Sequence, residues 1–212
     1  MQRSGLFIAF EGLDGSSSGY YAKTLARLLT DDGYRVVLTD EPTKSMIGGL
    51  IRARLAGEWD IAPETLQLLF TADRAEHLRT KILPALEGGR IVICDRYILS
   101  ALAYNAVLVN DLPWLKNLNA RFIDPDLQFL MKVNPKLCAR RIKESQMEVE
   151  LYGEEQKLGL VWKEYQRVAA EYDNIHTVDG ERDDVAIVDE LLEVTRRYLA
   201  NRQTVQADPQ SS

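Results

Sequence analysis

The stretch Leu6-Phe7-Ile8-Ala9-Phe10-Glu11-Gly12-Leu13-Asp14-Gly15-Ser16-Ser17-Ser18-Gly19 decides how the chain is read. Its first five residues are apolar and read as a strand buried on both faces. Glycines follow at 12, 15 and 19, and then Ala22, Leu25, Ala26 and Leu29 recur at the spacing of a one-faced helix. A glycine-rich turn from strand to helix exposes backbone N–H groups at the positive end of the helix, which suits phosphate. A plain tight turn is the alternative.

Outward from this turn the pattern repeats. Arg35–Thr39, Arg90–Cys94, Leu127–Val133 and Asn174–Val178 are further short strand candidates. Between them lie helical patterns: Ile47, Leu50, Ile51 and Leu55; a long segment from Pro63 to Leu86, stopped by Gly88-Gly89; and Val188, Leu191, Leu192, Thr195 and Leu199 near the end. Strands that alternate with helices predict an α/β fold with a mainly parallel sheet. In such sheets ligands bind beyond the carboxyl ends of the strands. Residues 1–200 are expected to form a single domain and 201–212 a frayed polar tail.

The 212 residues are 46% hydrophobic and 27% charged, which excludes a disordered or fibrous chain. A formal net charge of −6 argues against a nucleic-acid coat, which needs a basic surface. The two cysteines, Cys94 and Cys138, and the two histidines, His77 and His176, show no zinc-type spacing. No apolar run reaches the roughly 20 residues of a membrane helix, and the N-terminus does not read as a secretory signal. The expected location is the cytoplasm, with no membrane or nucleic-acid partner.

Four motifs in order then resemble one family. Phe10-Glu11-Gly12-Leu13-Asp14-Gly15-Ser16 is similar to the start of the P-loop of thymidylate kinases. Leu69-Phe70-Thr71-Ala72-Asp73-Arg74, Cys94-Asp95-Arg96-Tyr97 and Asp124-Pro125-Asp126-Leu127 resemble its later signatures. The resemblance runs from about residue 6 to about residue 200, and from Asp111 to Arg141 it is nearest to archaeal-type members. It implies a three-layer P-loop NTPase fold with a five-stranded parallel sheet. The implied reaction moves the ATP γ-phosphate to dTMP with Mg2+, in a protein that is commonly a homodimer. Ala101–Val109 would be an interface or simply core.

On this resemblance Gly12, Leu13, Asp14, Gly15, Ser16, Ser17, Ser18 and Gly19 surround the donor phosphates, with Asp14 also touching the acceptor sugar. Asp95, at a strand end beside the phosphate loop, would act near magnesium; an N-cap carboxylate is the alternative. Arg74 and Arg96 have the forked donors that suit a monophosphate. Phe70, four residues before Arg74 on the same helix face, can stack on the base. Glu41, Tyr97 and Tyr104 would complete that pocket. A lid is expected over about 141–158, with Arg141 toward ATP, although the sequence from Glu144 to Glu155 contains no Arg or Lys.

The family pattern wants Gly, Lys and Ser/Thr at positions 17, 18 and 19; this chain has Ser17, Ser18 and Gly19. The lysine that reaches the β- and γ-phosphates is absent. Lys23, one helical turn on, is expected to point away. Two further readings follow from the substitutions. One is a catalytically silent homologue that binds nucleotide as a regulatory module. The other is a serine hydrolase, because Gly15-Ser16-Ser17-Ser18-Gly19 spells a nucleophile elbow at Ser17, with Asp126 and His176 following in order.

Overall fold

The computed structural model describes residues 4–145 and 154–207. Its core is a five-stranded parallel sheet of order β2-β3-β1-β4-β5, built from β1 (Leu6–Gly12), β2 (Val36–Asp40), β3 (Ile91–Asp95), β4 (Leu127–Lys132) and β5 (Ile175–Asp179). β1 is central and buried along its whole length, whereas the edge strands β2 and β5 are only partly covered. Helices close both faces. Phe7, Ala9, Val92 and Cys94 pack toward α5 (Ile98–Val109) and α8 (Glu155–Ala169). Ile8, Phe10, Ile93 and Phe129 pack toward α1 (Ser18–Asp31) and α9 (Asp184–Ala207). This is the doubly covered arrangement that continuous apolar strands require.

The remaining helices are α2 (Met46–Leu55), α3 (Pro63–His77), α4 (Leu83–Glu87), α6 (Leu112–Asn119) and α7 (Pro135–Glu144). The long helix expected from Pro63 to Leu86 is interrupted. A π-helical turn at Leu78–Ile82 joins α3 to α4, just ahead of Pro84, whose ring and missing N–H would break a regular ladder. The tail expected from residue 201 differs too, since α9 continues to Ala207. Residues 146–153 of the expected lid, with Glu148 and Glu150, and residues 208–212 of the tail lie outside the described residues. Ala101–Val109 is mainly core: Ala101, Leu102, Ala103 and Ala106 are buried.

The carboxyl ends of β1, β2 and β3 are tied together by residues that follow them. Arg96 N–H donates to the Phe10 carbonyl at 2.8 Å, and Glu41 N–H to the Asp95 carbonyl at 3.1 Å. Beyond β2, Asp73 accepts from Thr43 N–H at 2.7 Å, Thr43 Oγ1 at 2.6 Å and Ser45 Oγ at 2.9 Å. The loop then turns into α2 with Gly48 against it. A Cβ at Gly48 would lie 1.9 Å from the Thr43 carbonyl oxygen. Gly48→Ala must therefore push α2 off this loop and is expected to cost about 1–3 kcal/mol, measured as earlier thermal unfolding.

Candidate active site

The loop after β1 keeps the backbone of a phosphate cradle. Gly12, Gly15 and Ser17 have φ of 154°, 80° and 68°. The Ser16 amide closes a turn onto the Leu13 carbonyl at 3.0 Å. The amides of Gly15, Ser17, Ser18 and Gly19 have no acceptor among the described residues, and they lie at the positive end of α1. The family's glycine at position 17 would adopt this left-handed conformation freely; here a serine holds it. Gly15 allows close packing, because a Cβ there would meet the Cys138 carbonyl of α7 at 2.6 Å.

The side chains of the loop depart from the family pattern in a connected way. Ser18, in the lysine position, is buried, and its Oγ donates to Asp95 Oδ1 at 2.9 Å. Gly19, in the Ser/Thr position, leaves room for the same carboxylate, since a Cβ there would lie 2.5 Å from Asp95 Oδ2. Asp95 thus occupies space that a side chain at position 19 would need. A cation from α7 also reaches the loop, where Arg141 Nη1 donates to the Gly15 carbonyl at 3.2 Å. Lys23, expected to point away, lines a second cavity with Gly19 and Asp95.

A cavity of about 250 Å³ adjoins the loop and is lined by Asp14, Glu41, Phe70, Arg74 and Asp95. Arg96, Tyr97, Ser100 and Tyr104 form its other wall. The acceptor residues named from sequence are therefore brought together. Arg96 sits at a turn with φ 69°, supported by Cys94 Sγ on its carbonyl at 3.0 Å. Its Nη2 meets Asp14 Oδ1 at 2.5 Å and its Nη1 donates to the Gly12 carbonyl at 2.9 Å, with its guanidinium 5.2 Å from the Tyr104 ring. Burial is the largest single influence and works against its charge, but Asp14, Tyr104, Tyr165 and Asp95 together outweigh it and hold Arg96 protonated well beyond the usual range. The Tyr104 hydroxyl accepts from Asp14 N–H at 2.7 Å.

Arg74 reaches the cavity from a buried seat. Its Nε donates to Glu41 Oε2 at 2.9 Å, its Nη1 to Asn119 Oδ1 at 2.5 Å, and its guanidinium lies 5.0 Å from the Tyr97 ring. The other oxygen, Glu41 Oε1, is 3.0 Å from His77 Nδ1. Glu41, His77 and Cys94 are close enough to hold a metal ion, but the Arg74 cation already neutralises that carboxylate.

Sequence reasoning missed Tyr165, Glu11 and Asn119 as parts of the site. The spacing Leu158, Val161, Tyr165, Val168 marks a buried helical stripe, but not what the Tyr165 hydroxyl meets. The hydrolase arrangement is not formed. Asp126 accepts from Phe7 N–H at 2.7 Å, at the amino end of the sheet, whereas Ser17 caps α1 beyond the carboxyl end of β1. His176 is bound to Glu190 at 2.6 Å.

A parallel sheet of this order, with a loop of free amides between β1 and α1 and an arginine-lined cavity beside it, defines a P-loop NTPase fold. The sequence model of thymidylate kinase matches residues 10–191. A probable thymidylate kinase of Pyrococcus horikoshii is 47% identical over 144 residues, covering 66% of this chain and 70% of that protein. The thymidylate kinase of Brachyspira hyodysenteriae is 32% identical over 189 residues, covering 89% and 92%. That of Bifidobacterium longum subsp. infantis is 34% identical over 186 residues, covering 84% and 80%. The chain belongs to the thymidylate kinase family.

Because Gly19 and Asp95 share one space, the Asp95 carboxylate must swing away in Gly19→Ala, at an expected cost of about 1 kcal/mol, the scale of the Ser18 hydrogen bond it gives up. In the Gly19→Ala, Asp95→Ala double variant the loss should be smaller than the sum of the two single losses. Denaturant unfolding of the four proteins measures this.

Proposed function

We propose that this protein is a nucleoside monophosphate kinase that transfers the γ-phosphate of ATP to dTMP, giving dTDP. The observation that carries the reading is the cavity that brings Arg96 and Phe70 together with Asp14 of the loop, whose next residues carry the free amides. Phosphoryl transfer depends mainly on alignment and charge neutralisation, and this arrangement supplies both. In our reading the amides of Gly15, Ser17, Ser18 and Gly19 hold the donor phosphates, with Arg141 beside them. Arg96 turns its uncommitted N–H groups to the acceptor phosphate, and Arg74 contributes what Glu41 and Asn119 leave free. Phe70 stacks on the base, Tyr97 and Tyr104 wall the sugar, and Asp14 orients the sugar while fixing Arg96.

The residues fit magnesium. Asp95 and the Ser18 hydroxyl bonded to it form a small oxygen set beside the amide cradle, and magnesium commonly uses one or two carboxylates with water and phosphates. When bound with ATP, the ion offsets phosphate charge. Asp95 and Ser18 would hold it, through water where Ser18 already occupies Oδ1. Residues 1–200 as one domain, a lid over 141–158, a cytoplasmic location and a homodimer belong to the same proposal. They rest on the family resemblance.

A coupled assay with purified protein, ATP, magnesium and dTMP should show turnover. Arg96→Ala should lower kcat/KM for dTMP by about 10²–10³-fold, the scale for removing a preorganised charge. Arg141→Ala should raise KM for ATP by about tenfold, the worth of one charge-assisted hydrogen bond. Binding of dTMP without turnover would instead favour the silent homologue, the reading that the missing lysine supports.

A further inference from the structure

Glu11 is a carboxylate behind the site to which the proposed reaction gives no role. It lies in the middle of the molecule at the end of β1, with none of its surface exposed. Its Oε1 accepts the Tyr97 N–H at 3.0 Å. Its Oε2 is hydrogen-bonded to the Ser100 hydroxyl. Ser100 Oγ is 2.8 Å from the Tyr165 hydroxyl, which is 2.9 Å from the Gly12 carbonyl oxygen. These contacts form one chain: Glu11, Ser100, Tyr165, Gly12.

The chain has three links and must be supplied with protons. The two hydroxyls bring one proton each. The Gly12 carbonyl can only accept, and an ionised carboxylate can only accept. With Glu11 ionised, two protons serve three links, so one pair of oxygens faces without a proton between them in a buried place, at a cost in free energy. With Glu11 neutral, every link is filled in one direction. Glu11 donates to Ser100, Ser100 to Tyr165, and Tyr165 to Gly12. Oε1 is then the carbonyl-like oxygen that accepts the Tyr97 amide.

We infer that Glu11 works as a neutral acid, and that its proton directs a three-link relay positioning the first residue of the donor loop and, with it, Arg96. The link to Arg96 is direct. Nη1 reaches the Gly12 carbonyl at 2.9 Å, Ser100 Oγ at 3.3 Å and Tyr165 at 3.5 Å. Glu11 is a positioning residue, and so is Tyr165. The inference rests on the kinase reading only for the role given to Arg96.

The surroundings agree. Facing Glu11 are Arg96, Tyr97 and Cys94 beside β3, Arg74 of α3, Ser100 of α5, and Tyr165 with the more distant Tyr172 from the α8 side. Burial raises the Glu11 pKa to about 7, against the Ser100 bond and the Arg96 and Arg74 charges, which lower it. The folded state thus holds this proton more tightly than the unfolded chain. Its contribution to stability is whole below the ordinary carboxyl value of 4.5 and is lost as pH rises through about 7.

Glutamine supplies both an N–H donor for Ser100 and a carbonyl for the Tyr97 amide, as the neutral acid does. The test uses the full chain and its Glu11→Gln, Glu11→Ala and Tyr165→Phe variants. Glu11→Ala and Tyr165→Phe should each lose about tenfold or more in kcat, the scale of a broken buried hydrogen bond. Glu11→Gln should restore activity, and the ratio of wild-type to Glu11→Gln turnover should fall as pH rises past about 7. Without reference to turnover, the Cδ signal of Glu11 in 13C-glutamate NMR, assigned by its loss in Glu11→Gln, should titrate near 7. The Tm of Glu11→Gln should gain on that of wild type between about pH 5 and 8. A Glu11 signal titrating in the ordinary range around 4, or Glu11→Gln as damaged as Glu11→Ala, overturns the inference. Absence of dTMP turnover in the wild type would sink the kinase reading alone, and the NMR titration and Tm comparison would still decide the relay.

Discussion

The rest of the site depends on one half-sheltered charge, the guanidinium of Arg96. Its side chain is 22% exposed, so much of its hydration is gone and the protein must replace it. Asp14 supplies the counter-charge, and the Gly12 carbonyl and Ser100 hydroxyl supply acceptors. Each comes from a different place: the donor loop, the end of β1 and the start of α5. Satisfying one arginine therefore fixes the relation of three segments. The left-handed backbone at Arg96 is the local strain that this network sustains. In the proposed reaction a phosphate at the cavity would meet an arginine already oriented, with little ordering left to oppose binding.

The donor loop shows how a motif can lose its side-chain chemistry and keep its shape. Positive φ angles persist at Gly12, Gly15 and Ser17, and the amides at the start of α1 remain free. A backbone cradle needs only those dihedrals. The lysine was a separate component, and its place is taken by a short hydroxyl bonded to Asp95. The two substitutions at 18 and 19 are coupled through that carboxylate. Ser18 bonds one oxygen, and the missing Cβ of Gly19 makes room for the other.

Much of this was legible in the sequence for a physical reason. Apolar β-branched runs have few homes besides a doubly covered parallel sheet, so all five strands fell within a residue or two of their observed bounds. Phe70 and Arg74, four residues apart, had to share a helix face. What could not be read is pairing at long range. Nothing in the sequence near Tyr165 shows that its hydroxyl meets Gly12, 153 residues away. Likewise the commitment of Arg74 to Glu41 and Asn119 arises from three separate elements. The π-helical turn before Pro84 was hidden because the apolar periodicity continues through it.

Charge is where fold and chemistry part company. With a net charge of −6, the protein can hold an anion only where its field is locally positive. On the side proposed for the acceptor, Arg74 and Arg96 would provide it, but each is bonded to a carboxylate, Glu41 and Asp14. Both guanidinium groups are thus held ready by partners that also weaken their field. On the donor side Arg141 touches the loop at its Gly15 carbonyl, on the α7 flank rather than where a lysine at 18 would emerge. A triphosphate seated on the amides would meet dipoles first and formal charge second. Amide dipoles act over short distances, whereas a buried ammonium acts across the whole phosphate chain. The donor half therefore leans on backbone geometry, and hence on whatever holds Gly12 in place. That makes the buried contacts behind Gly12, from Tyr165 back to Glu11, weigh more here than they would in a loop that carried its own lysine.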